Sequence, residues 1–112
     1  MTDVKTVFGP GGLLAQRLPA FSHRDAQAAM ADLIWSALGE RRHLAVEAGT
    51  GIGKTYAYLV PVLLAGRRAV ISTGTKTLQD QLYARDLPAL GAAIGRSVTV
   101  ALLKGRANYL CW

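Results

Sequence analysis

Glu47-Ala48-Gly49-Thr50-Gly51-Ile52-Gly53-Lys54-Thr55 is the stretch on which the reading of this chain turns. The apolar run Leu44-Ala45-Val46 precedes it and Tyr56-Ala57-Tyr58-Leu59-Val60 follows, so a strand, a glycine-rich loop and a helix are expected in that order. A phosphate-binding loop needs this context. Its glycines let the backbone curl until successive N–H groups face a polyphosphate. The new helix adds unpaired N–H groups and the positive end of its dipole. Ala48, Gly49, Thr50, Gly51, Ile52, Gly53, Lys54 and Thr55 are therefore read as a nucleotide cradle. Lys54 is expected to bridge the β- and γ-phosphates and the Thr55 hydroxyl to hold Mg²⁺, which makes these two the candidate catalytic residues. The strict pattern G-x-x-x-x-G-K-S/T opens with glycine, whereas Ala48 stands there in this chain. An accidental Gly/Thr-rich turn is the plainer alternative. The Lys-Thr pair and both flanking elements speak against it.

Upstream of the loop, Ala26, Ala29, Met30, Leu33, Ile34, Ala37 and Leu38 recur at three- and four-residue steps. They predict an amphipathic helix with Ser22 as N-cap, Asp25 in its first turn and a stop near Gly39. Arg24, Gln27 and Asp32 fall on its other faces, and Gln27 reads equally well as solvated surface. Residues 1–12 read as an irregular lead-in around Gly9-Pro10-Gly11-Gly12, and Leu13 to Leu18 as a short helix stopped by Pro19. Downstream, Pro61 is expected to break or kink the helix that begins at Lys54, and Gly66 to end it. Ala69-Val70-Ile71-Ser72 reads as a second strand and Thr73-Gly74-Thr75 as a turn. Leu78 and Leu82 share a helix face, with Pro88 as its stop. The small residues Ala89 to Gly95 lead to a third strand, Val98 to Leu103. Strands alternating with helices predict an α/β fold: a parallel sheet of three visible strands with flanking helices.

Composition narrows the class. With 112 residues the chain is one domain at most, and 51% hydrophobic residues suit a packed unit rather than a disordered tail. Thirteen Lys and Arg against seven Asp and Glu give a net charge of +6. That excess favours a polyanionic partner, nucleic acid before a membrane surface. Nine of the thirteen cations are Arg, so a solubilising surface or a base-composition bias explains the same balance. A lone cysteine, Cys111, excludes an internal disulfide framework and fits a reducing compartment. The longest apolar run, Tyr56 to Ala65, is too short to span a bilayer and contains Pro61. A cytoplasmic location without membrane contact is expected.

The hydrolytic half of a phosphate-loop enzyme is harder to find. Hydrolysis needs an acidic residue at another strand end and a carboxylate that positions water. The second strand ends at Ser72-Thr73, and the third runs into Lys104-Gly105-Arg106. Asp80 and Asp86 fall in or near a helix, and Glu47 directly precedes the loop, where a structural role is expected. The chain stops at Cys111-Trp112 without a polar tail and reads as a fragment.

Four segments together carry a resemblance: Phe21 to Gln27, Glu47 to Leu59, Ile71 to Leu82 and Leu103 to Cys111. On these the chain resembles the iron–sulfur superfamily 2 DNA helicases of the DinG/XPD type. The ending Gly105-Arg106-Ala107-Asn108-Tyr109-Leu110-Cys111 is more specific than the phosphate loop. The resemblance implies a partial RecA-like lobe, with residues 1–20 as lead-in. Residues 21–112 would be the N-terminal part of RecA-like domain 1, ending at the start of the iron–sulfur insertion. It places Arg24 and Gln27 on the adenine of ATP. It also places Thr73, Gly74, Thr75 and Lys76 on phosphates of single-stranded DNA, and Cys111 as the first of four ligands to a 4Fe–4S cluster. ATP and Mg²⁺ follow as cofactors, the cluster only in a full-length parent.

The function implied is an N-terminal fragment of an ATP-dependent DNA helicase of the DinG/YoaA type, acting in DNA repair or replication. The chain alone is expected to be inactive without a Walker B acid and a second lobe. A non-hydrolysing nucleotide- or nucleic-acid-binding module is the alternative. A small phosphate-loop kinase is disfavoured, because no acceptor site or lid-like basic segment follows the loop.

Overall fold

A computed structural model of the chain describes residues 4–18, 21–49 and 53–104. Six helices follow in order: α1 Val4–Phe8, α2 Leu13–Arg17, α3 Asp25–Glu40, α4 Lys54–Ala65, α5 Lys76–Gln81 and α6 Leu87–Ile94. A π-helical turn, Leu82–Asp86, joins the last two into one continuous rod.

The core lies where α3 and α4 pack together, with α1, α2 and the α5–α6 rod closed around them. α4 buries Ala57, Leu59, Val60, Pro61 and Leu64. Each large side chain so buried is worth about 1.5–3 kcal/mol. That packing offsets the hydrogen bond lost at Pro61, and α4 runs through the proline unbroken. Gly66 ends α4 as expected. On α3 the buried positions are Gln27, Ala31 and Ala37. Ala26, Ala29 and Leu33, expected on the buried face, are exposed, so the packed stripe is rotated from the one the apolar spacing suggested. Arg24, not Ser22, occupies the N-cap, without a side-chain cap bond. The helix passes Gly39 and stops with Arg41 in the left-handed region at φ 55°.

Two expectations about loops and stops are corrected. Residues 4–8 form a helix, and Val4, Val7 and Phe8 are fully buried in the core. Their burial supplies what such a short helix lacks in intrinsic stability. Pro88 does not end the helix begun at Lys76. The Leu87 N–H reaches back five residues to the Leu82 carbonyl. This wider turn takes the helix past a residue that has no N–H and crowds the carbonyl four positions back.

The expected parallel sheet is absent among the described residues. Leu44–Val46, Ala69–Ser72 and Val98–Leu103 carry no regular secondary structure, and no ladder pairs any of them. Leu44 and Val46 instead line an open groove with Met30, Ile34, Ala37 and Leu38. Val98 and Val100 lie along α6. Val70 and Leu103 are 98% and 83% exposed. A strand exists only through hydrogen bonds to a neighbouring strand. Here each apolar run lies against a helix or in solvent, so the sequence pattern stays unexpressed.

Candidate nucleotide-binding site

The junction of loop and helix is built from Gly53 outward. Gly53 precedes α4 in the left-handed conformation at φ 77°, which L side chains adopt with strain. A Cβ there would also collide with the Gln27 side-chain nitrogen. Gln27 is 3% exposed and its Nε2 donates to the Gly53 carbonyl at 3.0 Å. The structure thus brings together two residues 26 positions apart that the sequence assigned to one site. Gln27 is not solvated surface.

Lys54 opens α4 and is exposed, with no hydrogen-bond or ion-pair partner among the described residues. No side chain caps this helix end and its first turn holds no acidic residue, so its leading N–H groups face no competing anion from the first turn. Thr55 is half-buried and shares a hydrogen bond with Tyr58. These features fit a polyphosphate: open N–H groups, an ammonium without an ion-pair partner among the described residues, and a backbone turn that strains any L side chain. Ala48 and Gly49 lead in without regular structure, while Thr50, Gly51 and Ile52 lie outside the described residues. Arg24 is exposed at the N-cap of α3.

Beyond the cradle, α4 meets the π-helical turn. Burial pushes the Tyr56 hydroxyl above its ordinary range, and the Asp86 charge adds to this while Arg85 opposes it. Burial likewise raises Tyr58, with the Thr55 hydrogen bond acting against it and Asp86 with it. Asp86 is buried and bonded to the Arg85 Nε at 3.2 Å. Asp80 pairs with Lys104 at 3.4 Å, and Glu47 is exposed. Both aspartates therefore sit in the helical rod, as their spacing suggested.

At the expected DNA motif, the Thr75 hydroxyl accepts from the Leu78 N–H at 3.2 Å, and the Thr73 hydroxyl donates to the Thr75 carbonyl at 3.1 Å. Both hydroxyls are thus engaged in starting α5, while Gly74 and Lys76 are exposed. Cys111 lies outside the described residues. Among the described residues no cluster of three or more His, Cys, Asp or Glu is arranged to hold a metal ion. One cysteine in the chain does not fit a cluster that takes four thiolates. No helix of the described residues is long and apolar enough to cross a membrane.

Sequence reasoning missed three arginines that hold the fold. Arg17 donates to the Ala93 carbonyl at 2.8 Å, Arg67 to Leu38 at 3.1 Å and Arg96 to Leu63 at 3.3 Å. Each reaches the C-terminal turn of a helix that it is not part of, where cations are favourable. Arg67 and Arg96 directly follow the helix-stopping Gly66 and Gly95, a local signal for a capping cation but not for its target.

A sequence profile of the DEAD/DEAH box helicases matches residues 24–109, and the chain belongs to that family. It is 54% identical over 104 residues to the ATP-dependent DNA helicase YoaA of Escherichia coli, covering 93% of this chain and 16% of that protein. The Haemophilus influenzae protein of the same name is 48% identical over 109 residues, covering 97% of this chain and 17% of its own length. The ATP-dependent helicase DinG of Mycobacterium tuberculosis is 45% identical over 98 residues, covering 80% and 15%. The chain thus spans about a sixth of the length of these relatives. No solved structure matches it.

Proposed function

We propose that this chain carries the nucleotide-phosphate half of the first RecA-like domain of an ATP-dependent DNA helicase of the DinG/YoaA type. The contact of Gln27 with Gly53, beside the exposed Lys54, is the observation that supports the reading most directly. In this reading Arg24 and Gln27 face the base, and the loop from Ala48 to Thr55 holds the phosphates. Bound Mg²⁺, held by Thr55, would neutralise phosphate charge. Lys54 supplies a mobile cation to the terminal phosphates, and the start of α4 supplies fixed N–H donors. Thr73, Gly74, Thr75 and Lys76 offer backbone N–H groups and one cation to a DNA phosphate. Residues 21–112 correspond to the first part of that domain, up to the start of an iron–sulfur insertion, and residues 1–20 precede it, with Val4, Val7, Phe8 and Leu14 packing into the same core.

Binding without turnover is the second reading, and Asp80 and Asp86 favour it for the chain on its own. Asp80 is tied to Lys104, and Asp86 is buried beside Arg85, so neither is a free carboxylate for an attacking water. Titration with a fluorescent ATP analogue tests the proposal. The chain should bind and Lys54→Ala should lose that binding. Equal binding by both would sink the cradle. Mg²⁺-dependent ATP turnover by the chain would reject the second reading and leave the first.

A further inference from the structure

His23 stands just before α3 with a half-buried ring between two oxygens. Its Nδ1 lies 2.7 Å from the Phe8 carbonyl oxygen at the end of α1. Its Nε2 lies 2.8 Å from Oδ1 of Asp25, in the first turn of α3. A backbone carbonyl only accepts, and so does an ionised carboxylate. A neutral imidazole has a single N–H and can serve one of them. Only the imidazolium, with two N–H groups, satisfies both.

We propose that doubly protonated His23 is a pH-sensitive clasp that fastens the end of α1 to the start of α3. The clasp closes over a tilted ring pair, Phe8 and Phe21, with centroids 6.4 Å apart. What it holds in place is substantial. α1 inserts Val4, Val7 and Phe8 into the core, and α3 carries Gln27 to Gly53. Loss of the proton leaves one oxygen facing a ring lone pair. The Nδ1–H tautomer keeps Phe8 and releases Asp25, and the other tautomer does the reverse.

The charged residues closest in sequence to the two ends that the clasp joins are Lys5 on α1, and Arg24 and Asp25 at the start of α3. Of these, Asp25 is the one that acts on the ring, and none from α4 does. The bond to the Phe8 carbonyl raises the imidazole above its ordinary 6.5, the Asp25 hydrogen bond and charge add to it, and burial opposes them. A proton held more tightly when folded stabilises the fold fully below pH 6.5, the unfolded value. That stabilisation fades as pH rises through the higher folded value.

The test uses the full chain labelled with ¹⁵N, between about pH 5 and about pH 9, the span in which histidines titrate. Imidazole ¹⁵N shifts report the protonation of each ring nitrogen of His23. Both His23 nitrogens should carry protons at the acid end, and His23 should titrate above its ordinary 6.5. Protection factors of the α1 amides should fall several-fold through the same interval. In His23→Gln they should lose that step, and Asp25→Asn should move the wild-type titration downward. A His23 that titrates at or below 6.5, or α1 protection that is level through the His23 titration, would overturn the clasp. Both readings come from the wild-type chain and do not depend on a variant folding.

Discussion

Gly53 concentrates two constraints on one Cα. Its φ of 77° strains any L side chain, and an added Cβ would collide with the Gln27 amide. Gly53→Ala is therefore expected to cost about 1–3 kcal/mol, from strain and displacement of a buried amide together. Gln27→Ala in the same chain removes the collision and leaves the backbone strain. The double variant should fall by less than the sum of the two single changes, read as urea midpoints. Additive losses would mean that the two residues do not share the contact the structure shows. From sequence, Gln27 was ambiguous between surface and site. Its burial depends on which turn of α3 faces α4, and apolar spacing misplaced that turn because small alanines mark both faces.

Helix ends show a similar division between local and distant information. The stop at Gly66 is readable because a left-handed residue closes bonds with carbonyls of its own last turn, whereas the same kind of stop at Gly95 was missed by placing the helix end at Pro88. The side-chain caps are not readable, since Arg17 reaches across to Ala93, 76 positions away. Arg17→Ala should lower stability by about 1 kcal/mol, the usual net worth of one such hydrogen bond. The loss should show as reduced amide protection in α6 rather than in α2, and protection lost evenly over the chain would reject the capping role. Where α4 meets the π-helical turn, Tyr56 and Tyr58 hold their protons beyond the ordinary value of 10.0. An unfolded chain releases them earlier, so stability should decline as pH rises above 10.0. Alkaline titration at 295 nm should show late-ionising tyrosines, and Phe in place of both should remove that part of the decline.

The three apolar runs 44–46, 69–72 and 98–103 leave the chain with apolar segments that no strand ladder pairs among the described residues. Leu33, Val70 and Leu103 are all more than half exposed. Apolar, β-branched segments without a ladder are templates for pairing with other chains. The chain alone is expected to self-associate as its concentration rises, by light scattering. Lysine at Val70 and Leu103 should raise the concentration at which scattering begins, because both positions are open and neither supports the core. A wild-type chain that stays monomeric throughout would show that these runs are not the liability their exposure implies.

Taken in order, residues 44–60 announce a phosphate loop and its helix, and the short motifs around them announce the helicase family. Those features are local: a helix bonds to itself within four residues, and a glycine turn needs only its own torsions. The sheet was not local. Its apolar runs are present, but a strand requires a partner, and among the described residues each run lies against helices or solvent. The same holds for the burial of α1, the turn of α3 that meets Gly53, the carbonyls chosen by Arg17, Arg67 and Arg96, and the two oxygens that share His23. Each of these depends on groups far apart in the chain arriving at one place, so packing decided them and residue pattern did not.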